Sequence, residues 1–211
     1  MTSTDTATRS RRRRLDGEMS RARILNAARE IASERGYDGT SIGAVSAKCG
    51  LPASSIYWHF KDKDDLLAAV IESSFSTWLQ AWEFPADGSI EQRGLTVATQ
   101  IAEGLMTSPD FIRLGLMLAL ERRPEEPRAR AMYISVRAQA SNALASGFSE
   151  LMPELTSAQI SQLSTYALAG ADGLFVAKEI NGDSIDLLAL FKLHARALIA
   201  TATAMAADSN A

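Results

Sequence analysis

Residues 54–63 (SSIYWHFKDK) gather hydroxyls, aromatic rings, a histidine and two lysines into ten consecutive positions. Ammonium and hydroxyl groups bind phosphate oxygens, and small or flat side chains can reach base edges and thymine methyls. Together these residue types support contact with duplex DNA. The segment therefore predicts a DNA-binding surface, which neighbouring elements must hold in place.

The stretch 21–74 predicts the helices that position this segment. Ile24, Ala28 and Ile31 recur at spacings of four and three, as on the buried side of one helix that stops at Gly36. This spacing predicts the first of four helices.

Turn and cap residues predict the next three helices. Thr40 or Ser41 caps the second, and Pro52 suits the first turn of the third because its missing N–H is not needed there. Gly50 separates the two, and Asp62 can cap a fourth helix. Residues 54–63 thus lie on the third helix and its exit, in a helix-turn-helix.

Charge is distributed unevenly along the 211 residues. The net charge of −3 alone argues against a nucleic-acid partner. Residues 1–63, however, contain 12 Lys/Arg and 7 Asp/Glu, a net charge of +5, whereas the rest contains 10 and 18, a net charge of −8. A basic head on an acidic body confines DNA contact to one end.

The N-terminal segment, residues 1–15, is polar, rich in Ser and Thr, and ends in four arginines: Arg11, Arg12, Arg13 and Arg14. Nothing in it can be buried, so we expect a disordered arm. Its guanidinium groups would lie across neighbouring phosphates or enter a minor groove. The alternative is a solvated tail that only aids solubility.

Cysteine usage and hydropathy predict the cellular compartment. Cys49 is the only cysteine, so no disulfide can close within the chain, and we expect it to be a small buried residue. No apolar run approaches the roughly 18 residues of a membrane helix, and no secretory signal follows the N-terminal arginines. The sequence predicts a cytoplasmic protein without a membrane partner.

Five fragments in order resemble the tetracycline-repressor (TetR) family of bacterial regulators. They are ILxAA at 24–28, GYDGTS at 36–41, GL at 50–51, IYWHFxxK at 56–63 and LL at 66–67. They cover roughly the first third of the chain. The resemblance implies an N-terminal DNA-binding domain followed by a variable C-terminal part.

The resemblance also implies roles for individual residues. Those that would approach bases are Ala53, Ser54, Ser55 and Trp58. Those that would hold phosphates are Ser41, Tyr57, His59 and Lys63. Serine and alanine read bases weakly, and Gly43 has no side chain to reach one, so operator choice should lean on thymine methyls and DNA shape. Core packing is the expectation for Phe60 and an alternative for Tyr57, and His59 could be a buried structural histidine.

Beyond residue 84 the pattern is helical throughout. Ser108-Pro109 and Thr156 to Gln159 mark helix starts, and Pro124 to Pro127 marks a break. Clear strand signals are missing, so we expect an all-α fold of about nine helices. We divide it into an arm at 1–15, a three-helix DNA-binding domain at 16–63, and an effector-binding and dimerisation domain at 64–211.

Apolar stripes on the last two helices predict a homodimer through a four-helix interface. The stripe residues are Leu163, Ala167, Gly170 and Leu174 on one helix and Leu187, Phe191, His194 and Leu198 on the other. The alternative is that the stripes pack only within one subunit.

Large apolar groups between the two ends predict an adaptable effector pocket. They are Trp78, Trp82, Met106, Phe111, Leu114, Met117, Tyr133, Phe148, Tyr166 and Phe175. Arg137, Asp172 and Glu121 would orient a ligand or, equally, pair with each other. A filled core is the alternative for each apolar residue.

No metal-ligand cluster, phosphate-cradling loop or nucleophile motif occurs, so neither an enzyme nor a cofactor is predicted. We expect a homodimeric repressor on a palindromic operator, released by a small apolar or amphipathic molecule. The alternatives are an effector-independent or activating regulator, and a helical ligand-binding protein that does not bind DNA.

Overall fold

The computed structural model describes residues 3–121 and 127–208, with side chains from residue 14 onward. Within these ranges the chain forms nine α-helices, one short 3₁₀ turn and no strand, which confirms the all-α prediction. The helices are α1 (Ser3–Gly39), α2 (Ile42–Cys49), α3 (Ala53–His59), α4 (Lys63–Gln80), α5 (Ile90–Thr107), α6 (Asp110–Leu120), α7 (Arg128–Leu151), α8 (Ser157–Asn181) and α9 (Leu187–Asp208). The predicted break at 124–127 lies mostly outside the described residues.

The N-terminal segment differs from its prediction, because α1 is already helical at Ser3. Arginine and alanine are strong helix formers, and neither proline nor glycine interrupts the chain before Gly17. At the other end Gly36 has a φ of 69° and interrupts the helix, as predicted. The hydroxyl of Thr40 then donates to the Gly36 carbonyl over 2.8 Å and closes the turn.

The predicted side-chain caps are present at the starts of α2 and α4. The Ser41 hydroxyl accepts from the amide of Ala44 over 3.2 Å, and Gly50 ends α2 with a φ of 66°. Asp62 accepts from the amide of Asp65 over 2.8 Å at the start of α4. Pro52 lies one position earlier than predicted: its ψ of 151° is extended, so it precedes α3 instead of occupying the first turn.

The chain divides into two compact units. Unit 1 comprises Met1–Phe75 and Asp110–Ile134, and unit 2 comprises Ser76–Pro109 and Ser135–Ala211. Unit 1 extends beyond α3 because Leu66 and Val70 of α4 complete the core of the first three helices. That core is formed by Ile24, Leu25, Ala27, Ala28, Ile31, Val45, Cys49, Ile56, Phe60, Leu66 and Val70.

Unit 2 is built on the packing of α9 against α5 and α8. By length and composition α9 is, among the described helices, the one that could cross a membrane, with a mean hydropathy of 1.3. This differs from the prediction that no apolar run approaches the length of a membrane helix. Its Leu187, Phe191 and Leu198 are buried in unit 2, as in a core helix of a folded domain.

Candidate nucleic-acid interface

Helix α3 separates buried from exposed aromatic and apolar side chains. Ile56 and Phe60, one turn apart, are buried in the core of unit 1, as predicted for Phe60. Tyr57 and Trp58 point outward, with 57% and 76% of their surfaces exposed. Because helical residues advance about 100° each, this arrangement leaves one side of α3 available to a partner.

The first turn of α3 is small and polar. Ser54 is exposed, whereas Ala53 and Ser55 are partly buried. Pro52 provides no side-chain cap, and its carbonyl accepts from the amide of Ser55 over 2.9 Å. Ser41 is exposed at the start of α2. A helix with such small residues at its N-terminal end can bring its backbone close to a groove.

His59 is partly buried beside Arg21 of α1. Burial lowers the pKa of the His59 imidazole below its ordinary value, and the positive charge of Arg21 lowers it further. The lowered pKa favours the neutral imidazole, which carries one N–H group that can donate to a phosphate. The sequence analysis did not single out Arg21, whose guanidinium lies 5.3 Å from the centre of the Phe60 ring.

Lys63 lies at the N-terminus of α4 and is partly engaged within unit 1. Its Nζ donates to the carbonyl of Tyr37 over 3.1 Å and lies 4.2 Å from the centre of the Tyr37 ring. These contacts hold an ammonium group at the positive end of a helix dipole, an arrangement that favours anions.

Asp64 links three segments of unit 1, and the sequence analysis missed it. Its carboxylate accepts from the Tyr37 hydroxyl over 3.1 Å and from the amides of Arg128 and Ala129 over 2.5 and 3.2 Å. Those amides begin α7, which Pro127 precedes without a side chain that could cap it. This proline before a helix is the signal that could have suggested a distant cap.

The predicted arginine contacts are described only in part. Arg11, Arg12 and Arg13 lie in the helical backbone of α1, but their side chains are outside the described part of the structure. The side chain of Arg14 is exposed.

The predicted effector residues do not fall in one compact unit. Four belong to unit 1: Phe111, Leu114, Met117 and Tyr133. Eight belong to unit 2: Trp78, Trp82, Met106, Arg137, Phe148, Tyr166, Asp172 and Phe175. Exposure also separates them, since Tyr166 is mostly exposed whereas Phe111, Leu114 and Phe175 are buried.

Two contacts in unit 2 do involve predicted effector residues. Arg137 and Asp172 form a two-point ion pair, with Nη1 and Oδ1 2.8 Å apart, so the pairing alternative holds for them. The rings of Trp78 and Trp82 meet edge to face with centroids 4.6 Å apart. Trp82 is buried, and its Nε1 has no hydrogen-bond partner among the described residues.

An open groove of about 690 Å³ runs between α7 and α8. Serine side chains dominate its lining, which includes Ser141, Ser146 and Ser161. None of the predicted effector residues lines it. Within residues 3–121 and 127–208, no group of three or more His, Cys, Asp or Glu side chains could hold a metal ion.

Most residues of the stripes predicted to form a dimer interface pack inside unit 2 of a single chain. Five of the residues are buried within the unit: Leu163, Ala167, Leu187, Phe191 and Leu198. The other three, Gly170, Leu174 and His194, are partly buried. Nε2 of His194 lies 3.1 Å from the Ala167 carbonyl, and a Cβ on Gly170 would come within 2.2 Å of the His194 ring. Gly170 therefore makes room for a contact between α8 and α9 of one chain.

A different apolar surface of α8 and α9 is exposed, and we call it the α8/α9 face. On α8 it repeats at spacings of three and four; on α9 most of its residues are alanines. Its members are Tyr166, Ala169, Gly173, Val176 and Ile180 on α8 and Ala189, Leu193, Ala197, Ala200 and Ala204 on α9. The sequence analysis missed it because both sides of these helices are apolar. Ile180 and Leu193 expose 75% and 60% of their surfaces.

Comparisons with known proteins agree with this geometry. Residues 24–70 match the family model described as bacterial regulatory proteins, tetR family. Over 67 residues the chain is 36% identical to the HTH-type transcriptional regulator AcrR of Shigella flexneri. This match spans 32% of this chain and 31% of AcrR. The chain thus matches about a third of the length of this curated relative.

Solved structures match over most of the chain. The tetR-family regulator from Streptomyces coelicolor has a TM-score of 0.71 at 19% identity and covers 92% of this chain and 86% of its own. FadR from Bacillus subtilis, solved in complex with stearoyl-CoA, has a TM-score of 0.68 at 19% identity and covers 84% of this chain and 96% of its own. At these identities the likeness establishes the fold alone.

Helices α2 and α3 form a helix-turn-helix, and α3 exposes aromatic groups. These features define the class of helix-turn-helix proteins. The N-terminal segment of the chain, residues 24–70, carries the match to the tetR family of bacterial regulatory proteins.

Proposed function

We propose that this protein is a transcriptional repressor that binds operator DNA in the cytoplasm through α3. The observation that carries the proposal is the outward side of α3, where Ser54, Tyr57 and Trp58 are exposed over a buried apolar side. Serine hydroxyls can bond base edges, and the flat rings can lie on thymine methyls or sugars. Lys63 and the neutral His59 supply donors for flanking phosphates.

Salt dependence tests the DNA-binding proposal directly. Selection of bound fragments from random-sequence duplexes supplies the operator. Affinity for that operator is then measured between 50 and 200 mM salt. If the protein contacts roughly six or more phosphates, the added salt should weaken binding about 10³-fold or more. Affinity that does not change with salt, or the absence of any selected sequence, would contradict the proposal.

Paired variants separate phosphate contacts from base contacts. Lys63→Ala should weaken binding to all sequences similarly and reduce the salt slope by about one. Ser54→Ala should change the preferred sequence while leaving the salt slope unchanged. Lys192→Ala is the charge-matched control, because Lys192 lies on α9 in unit 2, outside the helix-turn-helix.

We propose that two copies pair through the α8/α9 face. Two half-sites of a palindromic operator lie about 34–36 Å apart and require two copies of α3 related by a two-fold axis. The face is apolar, carries exposed Val176, Ile180 and Leu193, and has small residues such as Gly173 that let a partner helix approach closely. These are the properties of a surface that a copy of itself would cover.

We propose that an apolar or amphipathic small molecule releases the protein from DNA. Trp82 and Phe175 are buried in unit 2 and Trp78 is partly buried there. The buried Nε1 of Trp82 can donate to an acceptor on a ligand. FadR of the same fold was solved with an amphipathic ligand, stearoyl-CoA. Helix α4 contributes residues to both units, so a ligand that displaces its C-terminal end would also move the end that carries Lys63.

Fluorescence titration tests this part of the proposal. Oleoyl-CoA and free oleate, as amphipathic probes, should quench or shift the emission of Trp78 and Trp82 and dissociate the operator complex. A Trp82→Phe variant keeps the packing but removes the donor, and should bind the probe more weakly. A probe that binds without changing operator affinity would support an effector-independent regulator, and one that tightens the complex would support an activator.

A further inference from the structure

Tyr37, at the end of α1, contacts the first two residues of α4 in three ways. Its backbone carbonyl accepts from Nζ of Lys63 over 3.1 Å, and the centre of its ring lies 4.2 Å from the same nitrogen. Its hydroxyl donates to Oδ1 of Asp64 over 3.1 Å. One residue of α1 therefore holds both the positive charge at the N-terminus of α4 and the carboxylate beside it.

The carboxylate of Asp64 is held from a second direction by the start of α7. Its Oδ2 accepts from the amide of Arg128 over 2.5 Å, and its Oδ1 accepts from the amide of Ala129 over 3.2 Å. The first amides of a helix have no acceptor within that helix, so these bonds satisfy two donors that would otherwise need water. All of these residues lie in unit 1. A continuous chain of contacts therefore runs from the first turn of α7 through Asp64 and Tyr37 to the ammonium of Lys63.

These contacts place the ammonium of Lys63 and still leave it able to bind an anion. An ammonium has three N–H donors, of which the Tyr37 carbonyl takes one, and the side chain is only partly buried. A lysine side chain without such contacts samples many rotamers and loses that freedom when it binds a partner. Because Lys63 is already placed, part of this entropic cost is removed before DNA arrives.

We infer that Tyr37 is a positioning residue for DNA binding: it holds the Lys63 ammonium where a phosphate is bound, and Asp64 ties Tyr37 to the first turn of α7. This inference rests on the proposed function, in which Lys63 holds a phosphate. A tyrosine hydroxyl that donates to a carboxylate makes its ring more electron-rich, which strengthens the attraction of the ring face for a cation. Asp64 thus acts on Lys63 through Tyr37.

Double-mutant cycles measure how much of the Lys63 contribution depends on Tyr37. In the wild-type background Lys63→Ala should weaken operator binding about tenfold, and in the Tyr37→Leu background less than about threefold, because the ammonium is no longer placed. Tyr37→Phe keeps the ring and the carbonyl and should give a value between these two. Asp64→Ala should also reduce the effect of Lys63→Ala. Glu72→Ala, which removes an exposed carboxylate from the same helix, should not.

The contact between the ring and the ammonium can be observed by NMR without DNA. The ε-methylene protons of Lys63, assigned by their loss in Lys63→Ala, should resonate upfield of those of other lysines because of the Tyr37 ring current. They should stay upfield in Tyr37→Phe and move to the lysine average in Tyr37→Leu. The dispersion of the same spectra reports whether each variant is folded, and if Tyr37→Leu is not, Tyr37→Phe and Asp64→Ala carry the test.

The possible failures are distinguishable. Equal effects of Lys63→Ala in the wild-type and both Tyr37 backgrounds, or Lys63 protons that are not shifted in the wild type, would overturn the positioning role while leaving DNA binding intact. A Lys63→Ala effect that Asp64→Ala leaves unchanged would overturn the link to α7. A Lys63→Ala variant with wild-type operator affinity and salt slope would show instead that Lys63 holds no phosphate. A wild-type protein that selects no sequence at all would refute the proposed function.

Discussion

The exposed side of α3 and the α8/α9 face both present apolar groups to solvent, but their chemistry differs. On α3, Tyr57 and Trp58 stand among hydroxyls and basic side chains, so the surface mixes flat rings with hydrogen-bond donors. Except for Tyr166, the α8/α9 face is aliphatic and consists largely of Ala and Gly. It therefore has few groups that could pair with a polar partner. A mixed surface suits a polyanion with apolar base edges, whereas a thin apolar surface suits another helix pair. Exposure alone does not identify a partner; the polar groups around the exposed rings do.

The largest expected effect comes from placing charge on the α8/α9 face. A double variant, Ile180→Asp with Leu193→Asp, would bury four carboxylates in one dimer, and each unpaired charge costs several kcal/mol. We expect the dimer dissociation constant, measured by analytical ultracentrifugation, to rise by at least about 100-fold, which corresponds to about 2.7 kcal/mol.

Met19→Asp is the matched control for this variant, because Met19 is a similarly exposed apolar residue in unit 1. It should leave dimerisation unchanged. A double variant that stays dimeric at nanomolar concentration would show that the α8/α9 face is not the dimer interface.

The second prediction compares the loss of stability on replacing two adjacent residues of α3, one buried and one exposed. Ile56 is fully buried, so Ile56→Ala should reduce the free energy of unfolding, measured with urea, by about 2–5 kcal/mol. Tyr57→Ala removes an exposed ring and should cost less than about 1 kcal/mol while it weakens operator binding. A larger loss of stability from Tyr57→Ala than from Ile56→Ala would contradict the assigned orientation of α3.

The third prediction concerns the hydrogen bonds by which Asp64 joins the start of α4 to Tyr37 and to the start of α7. Asp64→Ala removes the acceptor for two α7 amides and the Tyr37 hydroxyl, and should reduce the free energy of unfolding by about 1–3 kcal/mol. Glu72→Ala, which removes an exposed carboxylate from the same helix, should change it by less than about 0.5 kcal/mol. Equal losses in the two variants would show that Asp64 does not serve as a distant cap.

The smallest expected effect is a pH dependence from His59, whose pKa is lowered by burial and by Arg21. Because the folded protein holds this proton less tightly than the unfolded chain, its stability is undiminished above the ordinary pKa of about 6.5 and falls as pH decreases below it. A bound phosphate favours the protonated imidazole, so operator affinity should rise several-fold, about threefold or more, from pH 7.5 to pH 5.5.

His59→Gln retains a donor but does not titrate, and subtracting its pH profile isolates the His59 contribution. Identical profiles for the variant and the wild type, in both urea unfolding and operator binding, would show that His59 does not face a phosphate.

Much of unit 1 could be predicted from sequence because its signals are local. Gly36 and Gly50 have positive φ angles that other residues rarely adopt, and Ser41 and Asp62 cap the helices that follow them. The buried side of α3 was also predictable at Phe60. Asp64 was not, because its three hydrogen bonds reach residues 27 and more than 60 positions away.

The sequence by itself determined the all-helical fold, the helix-turn-helix and the chemistry of α3, since caps, glycines and one dense run of functional side chains encode them locally. Only the tertiary structure decided which side of α8 and α9 is buried. Both sides are apolar, so periodicity alone could not distinguish the stripe of Leu163 and Leu198 from that of Ile180 and Leu193.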